Sequence, residues 1–79
     1  MVRLVLMANF SPSQYDALER AITDGRRIAV QRPGSGEVVV LPKRLRLVGG
    51  RELVEANHPT TGDRLNLYLD EIDGFEVVK

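Results

Sequence analysis

The stretch "SPSQYDALERAITDGRRIAVQ", residues 11–31, contains the change of pattern that decides the fold. Its first part has apolar residues at helical spacing, at Tyr15, Leu18 and Ile22. From Arg26 onward the period falls to two, with Ile28 and Val30 alternating with more polar neighbours. The sequence therefore predicts one amphipathic helix that leads directly into β structure.

The ends of this helix are marked by residues that cap helices. Ser11 is placed to be the N-cap, Pro12 suits the first helical position, and Gln14 completes an S-x-x-Q capping box. Gly25 suits the C-terminal cap, because a left-handed residue there carries no Cβ penalty. We predict a helix over residues 12–24.

Short strands and Gly- or Pro-containing turns follow the helix. Leu45 and Leu47 alternate with arginines, while a valine-rich strand before them is expected to end at Pro42. We predict an α+β, mainly β, fold, in which an N-terminal strand and one helix precede a small five-stranded SH3/Sm-like antiparallel barrel. The alternative is an open antiparallel sheet with the helix on one face. The single domain, residues 1–79, would comprise an extra strand (1–10), the helix (11–25) and the barrel (26–79).

Composition excludes several classes of site. The chain has no cysteine and one histidine, so disulfides, thiolate metal sites and an all-protein zinc site are not expected. The apolar run at 2–7 is too short for a transmembrane helix and lacks the pattern of a signal peptide. We expect a soluble, cytoplasmic protein, complete in one domain, with no cofactor.

The net charge of zero conceals a segregation of charge along the chain. Residues 26–51 carry seven basic residues and one acidic residue, whereas residues 52–79 carry two basic and seven acidic residues. The two segments could neutralise each other as neighbouring strands. Alternatively, the molecule has one basic face that attracts an anionic partner.

The order of features from Tyr15 to Val78 resembles the WYL domain, a Sm-like or SH3-like barrel of bacterial regulators. The matching segments are "LERAITDGRRIAV", "LPKRLRLV", the glycine hairpin, the "TGD" turn and "LNLYLDEIDGFEVV". The Trp-Tyr-Leu tripeptide that names the family is matched here by Arg51, Glu52 and Leu53, so only the leucine is kept. The family's arginines around its Leu-Asp pair, thought to line an anionic-ligand channel, are replaced by Tyr68 and Glu71. The resemblance implies a divergent, stand-alone regulatory module.

Three other constellations have ordinary structural interpretations. His58 lies in a polar loop whose turn is set by Pro59 and Gly62, and no nucleophile motif accompanies it. The acidic cluster at 70–73 is expected to form one helical turn capped by Asp70, although paired carboxylates can also bind Mg²⁺ or Ca²⁺. The segment "RPGSG" at 32–36 lacks the lysine and helix of a phosphate loop and predicts a hairpin turn.

One basic set carries the main functional hypothesis. Arg44 and Arg46 alternate with leucines, so both leave the same face of one strand, and Tyr68 on another strand could provide a stacking surface. The sequence thus predicts a non-enzymatic regulatory module that binds nucleic acid or a nucleotide. The predicted binding residues are Arg27, Arg32, Lys43, Arg44, Arg46 and Tyr68. The alternative for this set is a solvated basic face paired with Glu52 and Glu55.

The alternative hypothesis is a protein–protein interaction module. Val2, Leu4 and Leu6 lie on one face of the apolar N-terminal strand and could pair with a second copy to form a homodimer, or with another protein. No metal site, catalytic residue or membrane partner is predicted.

Overall fold

One helix and five antiparallel strands make up the part of the chain that the computed structural model describes, residues 11–34 and 36–78. The elements in chain order are α1 (Pro12–Asp24), β1 (Ile28–Arg32), β2 (Gly36–Val48), β3 (Arg51–Asn57), β4 (Arg64–Tyr68), a 3-10 turn (Leu69–Glu71) and β5 (Gly74–Val77). The predicted α+β, mainly β, architecture is confirmed. The predicted N-terminal strand lies outside the described residues.

Both ends of α1 are capped as predicted. The N–H of Gln14 donates to the Ser11 hydroxyl at 3.3 Å, and the Ser11 N–H donates to the Gln14 side-chain oxygen at 2.8 Å. Gly25 adopts a left-handed conformation, with φ of 70°, and its N–H bonds to the last carbonyls of the helix. These local bonds explain why the helix boundaries could be read from sequence.

The strands form one sheet in the order β4-β3-β2-β1-β5, with antiparallel pairing throughout. Strand β2 is long, and its first half pairs with β1 while its second half pairs with β3. The 3-10 turn connects the two edge strands, β4 and β5. The result is a small barrel-like sheet rather than an independent pair of hairpins.

The prediction that Pro42 ends a strand is wrong, because β2 continues through it. Pro42 pairs with Ala56 and Arg44 pairs with Glu55, so Lys43 is an extra residue at a β-bulge. A bulge interrupts the ladder of hydrogen bonds, which is where the missing N–H of proline is tolerated. The bulge lets one strand serve both halves of the sheet.

Helix α1 and one face of the sheet enclose the core. Leu18 and Ala21 on α1 are buried together with Val30, Val40 and Val54 from three neighbouring strands. Full burial of an aliphatic side chain of this size contributes about 1.5–3 kcal/mol.

Two glycines connect β2 to β3. Gly49 and Gly50, with φ of 58° and 80°, form the predicted tight turn between β2 and β3.

The helix in the described residues is too short to cross a membrane.

Candidate anion-binding face of the sheet

The face of the β4-β3-β2 sheet opposite the core carries several arginines and one aromatic ring. Residues directly opposite each other in antiparallel strands share a face. Leu53 on β3 lies between Arg46 on β2 and Tyr68 on β4. In the adjacent row, Glu55 lies between Arg44 and Asn66. We call this surface, together with Arg51 at the start of β3, the outer face.

Glu55 holds two arginines side by side on the outer face. Its two carboxylate oxygens accept hydrogen bonds from Arg44 Nε at 2.9 Å and from Arg46 Nη1 at 2.6 Å. The side chain of Glu55 is only 10% exposed, whereas those of Arg44 and Arg46 are 64% and 48% exposed. The hydrogen bonds from Arg46 and then Arg44 lower the pKa of Glu55, so it stays ionised. Each guanidinium has five N–H donors, and several on each arginine are not used by Glu55.

Arg51 lies at the centre of a second cluster on the outer face. Its Nε and Nη2 atoms donate to the two carboxylate oxygens of Asp70 at 3.0 Å and 2.7 Å, and Nη2 also donates to Glu71 at 3.0 Å. Its guanidinium carbon lies 3.9 Å from the centroid of the Tyr68 ring. The Arg51 hydrogen bond lowers the pKa of Asp70, and the bonds to both acids raise the pKa of Arg51.

This cluster changes two expectations from the sequence. Asp70 does not cap the 3-10 turn, since Tyr68 is at the capping position without a side-chain bond and Asp70 bonds to Arg51 instead. Arg51 was absent from the predicted site, although the resemblance had placed it where the family carries tryptophan. An arginine in place of the tryptophan that defines the family was the feature of the sequence that could have pointed to Arg51.

The other predicted binding residues lie away from the Glu55 pair. Arg32 lines a cleft of about 280 Å³ together with Asn66, Tyr68 and Glu71. Arg27 directly precedes β1, at the opposite end of that strand from Arg32. Lys43 is the exposed bulge residue of β2. The fold therefore places Arg44, Arg46 and Tyr68 on one face, with Arg32 in a cleft that Tyr68 also lines and Arg27 elsewhere.

The segregated charges of the sequence meet across the sheet. Arg44 and Arg46 pair with Glu55, and Arg51 pairs with Asp70 and Glu71. Each of these ion pairs joins the basic segment 26–51 to the acidic segment 52–79. Three of the seven basic residues of segment 26–51 are thus paired with three carboxylates of segment 52–79, Glu55 from the neighbouring strand and Asp70 and Glu71 from the 3-10 turn. This agrees in part with the interpretation that the two segments neutralise each other.

The remaining candidate residues have structural roles. His58 Nδ1 accepts the backbone N–H groups of Thr60 and Thr61 at 3.1 Å and 3.2 Å, which organises the loop between β3 and β4. Within residues 11–34 and 36–78, no group of three or more His, Cys, Asp or Glu side chains is arranged to hold a metal ion.

Comparisons with known proteins bear on the fold of the chain. No family model and no curated protein sequence match the chain. Among solved structures, proteasome accessory factor B/C (PafBC) of Arthrobacter aurescens superposes with a TM-score of 0.69 and 24% identity. The match covers 85% of this chain and 12% of the PafBC chain, so this chain spans about an eighth of that protein. At this identity the similarity establishes a shared fold.

Proposed function

We propose that this chain is a non-enzymatic regulatory module that binds the phosphates of a nucleic acid strand or nucleotide through Arg44 and Arg46. The observation that carries the proposal is the shared carboxylate of Glu55, which fixes two exposed guanidinium groups side by side. Guanidinium groups match phosphate oxygens in planar, two-point hydrogen bonds. Because these side chains are already ordered, less rotamer freedom is lost when a phosphate binds.

The regulatory part of the proposal rests on the fold. The order of sequence features resembles a family of bacterial regulators, and PafBC shares the fold of the present chain. A module of this kind would act by binding rather than by chemistry.

The test is fluorescence anisotropy with labelled single-stranded DNA and RNA across a salt series. Each phosphate contact to a single strand contributes about −0.7 to the slope of log affinity against log salt, so two arginines predict a slope of about −1.4. Unlabelled mononucleotide added as competitor distinguishes a nucleotide site from a strand site. No binding at about 50 mM salt, where phosphate contacts are strong, would refute the proposal.

The decisive variant removes both arginines without leaving a charge buried. Arg44→Gln and Arg46→Gln are combined with Glu55→Gln, because an unpaired buried carboxylate would destabilise the fold. We expect the salt slope to fall to near zero. The matched control, Arg20→Gln and Arg26→Gln combined with Glu19→Gln, changes exposed residues of the helix region, lowers the net charge by the same one unit, and should keep the wild-type slope. Equal losses in both variants would show that general charge, not this pair, governs binding.

As a second proposal, two copies of the chain form a homodimer through Val2, Leu4 and Leu6. Apolar burial is not screened by salt as exposed charges are, so a homodimer formed this way would survive high salt. Sedimentation analysis at micromolar concentration tests it, and a strictly monomeric protein would contradict it.

A further inference from the structure

Arg51, rather than Tyr68, presents the stacking surface of the outer face. The Arg51 guanidinium lies 3.9 Å above the Tyr68 ring, so this face of the ring is covered. Three hydrogen bonds to Asp70 and Glu71 fix the guanidinium in place. The Arg51 side chain is nevertheless 42% exposed. A ligand approaching the ring at this point therefore meets the guanidinium first.

A guanidinium held in this way has the properties of a stacking platform. It is planar, delocalised and weakly hydrated, and arginine planes stack on unpaired nucleobases in RNA recognition. A free surface arginine loses rotamer freedom when a ligand orders it, but Arg51 is already ordered by its neighbours. The bidentate bond to Asp70 also keeps the plane of the guanidinium from turning.

We propose that an unpaired nucleobase stacks on Arg51 and extends the Tyr68–Arg51 stack, while Arg44 and Arg46 hold neighbouring phosphates. This inference rests on the proposed function and names its ligand class as single-stranded nucleic acid. Arg46 is opposite Leu53, two positions along β3 from Arg51, and such diagonal neighbours lie about 7–8 Å apart. One short stretch of strand can contact both. A duplex offers no such contact, because its base faces are already stacked inside the helix.

The opposite interpretation treats Asp70 and Glu71 as competitors of the ligand. In that case the two carboxylates hold Arg51 back, and their removal would release it to bind phosphate. The two interpretations differ in the sign of one effect. Under the platform model, Asp70→Asn with Glu71→Gln weakens stacking even though the protein gains two units of positive charge. Under the competitor model, the same change strengthens binding.

The experiment compares two labelled probes with the same number of phosphates, an oligothymidylate and an abasic strand. We expect the wild-type protein to bind the oligothymidylate about tenfold more tightly, since stacking of one base is worth about this factor, or about 1.4 kcal/mol. Arg51→Lys keeps the charge and removes the plane, so it should abolish this ratio while abasic binding stays at the wild-type level. Duplex DNA should bind no better than the abasic strand.

A second pair of variants separates stacking from charge. Asp70→Asn/Glu71→Gln should reduce the ratio of the two affinities. The control, Asp73→Asn/Glu76→Gln, adds the same charge at exposed positions and should leave the ratio unchanged. Melting curves confirm folding, and if the first variant unfolds, the Arg51→Lys comparison decides alone.

The outcomes distinguish the two proposals. A ratio that Arg51→Lys leaves unchanged, or one that rises in Asp70→Asn/Glu71→Gln, overturns the platform while the phosphate site at Arg44 and Arg46 stands. Failure of the wild-type protein to bind either probe overturns the proposed function and the platform with it.

Discussion

A hydrogen bond joins the first turn of the helix to the start of β3, and its removal should weaken the fold measurably. The Tyr15 hydroxyl on α1 donates to Glu52 Oε1. A hydrogen bond to a charged group contributes about 1.5–3 kcal/mol to stability. Because the Tyr15–Glu52 bond is partly exposed, we expect it to contribute about 1.5 kcal/mol. A domain of this size has roughly 4–12 kcal/mol of total stability. Tyr15→Phe should therefore lower the melting temperature by about 6–12 °C at neutral pH.

The same contact predicts how stability depends on alkaline pH. Burial, followed by the hydrogen bond and the charge of Glu52, raises the pKa of Tyr15 to about 12. Because the folded pKa is above the unfolded value of about 10, the contribution of Tyr15 is complete below about pH 10. It is lost as the pH rises toward about 12. The stability difference between wild type and Tyr15→Phe should shrink over this interval.

The pKa can be measured directly by the ultraviolet absorbance of tyrosinate. The chain has two tyrosines and no tryptophan, so Tyr68→Phe leaves Tyr15 as the only absorbing phenol. We expect this variant to titrate near pH 12 when folded and near about 10 in denaturant. Titration of the folded variant near 10, or a melting temperature unaffected by Tyr15→Phe, would refute the reasoning.

Glu52→Gln serves as the control for the cause of the pKa shift. Glutamine can still accept the phenolic hydrogen bond but carries no charge. Since burial is the largest cause of the raised Tyr15 pKa, this variant should titrate below wild type but still above about 10. A return to the unfolded value would show that the charge of Glu52 alone sets the pKa.

Three further predictions test packing, the Arg51 cluster and the loop between β3 and β4. Leu18→Ala in the core should cost about 2–5 kcal/mol in urea denaturation, whereas Leu47→Ala, at a side chain 70% exposed, should stay within about 0.5 kcal/mol. Arg51 lowers the pKa of Asp70, so the Arg51–Asp70 pair contributes fully to the stability of the fold above the pKa that Asp70 has in the unfolded chain. This contribution disappears as the pH falls through the pKa of Asp70 in the folded protein, so Asp70→Asn should flatten the acid limb of a stability–pH curve. His58→Ala should cost about 0.5–1.5 kcal/mol by loss of an acceptor for two backbone N–H groups, while His58→Asn, which can accept them as an Asx-turn, should restore part of it.

The parts of the fold that depend on nearby residues were predictable from sequence. The caps at Ser11 and Gly25 act within a few residues, and the turn at Gly49 and Gly50 needs only two positive φ angles. The continuity of β2 was not predictable in this way. Pro42 favours the end of a strand when it is considered alone, and only the pairing with Ala56 on β3 reveals a bulge.

The candidate site depended on register, which sequence did not supply. Alternation showed that Arg44 and Arg46 share a face, and Glu52 and Glu55 were both possible partners. Only the register shows that Glu55 lies opposite Arg44 and accepts hydrogen bonds from both arginines. The length of the loop at 58–63 does not determine the register between β3 and β4, so the pairing of Leu53 with Tyr68 could not be deduced from sequence. Without that pairing, nothing indicated that Arg51 would cover the Tyr68 ring.

The ion pairs of the outer face also determine what kind of binding it can support. Arg44, Arg46 and Glu55 together carry one net positive charge, and Arg51 with Asp70 and Glu71 carries one net negative charge. Long-range attraction of a polyanion needs a net field, which this balanced face does not provide. Under the proposed function, binding must therefore come from positioned donors and stacking. We predict a shallow salt dependence together with a clear preference for strands that carry bases. A slope of log affinity against log salt that corresponds to several phosphate contacts would instead assign binding to the exposed cations outside the outer face. Two arginines contribute only about −1.4 to this slope.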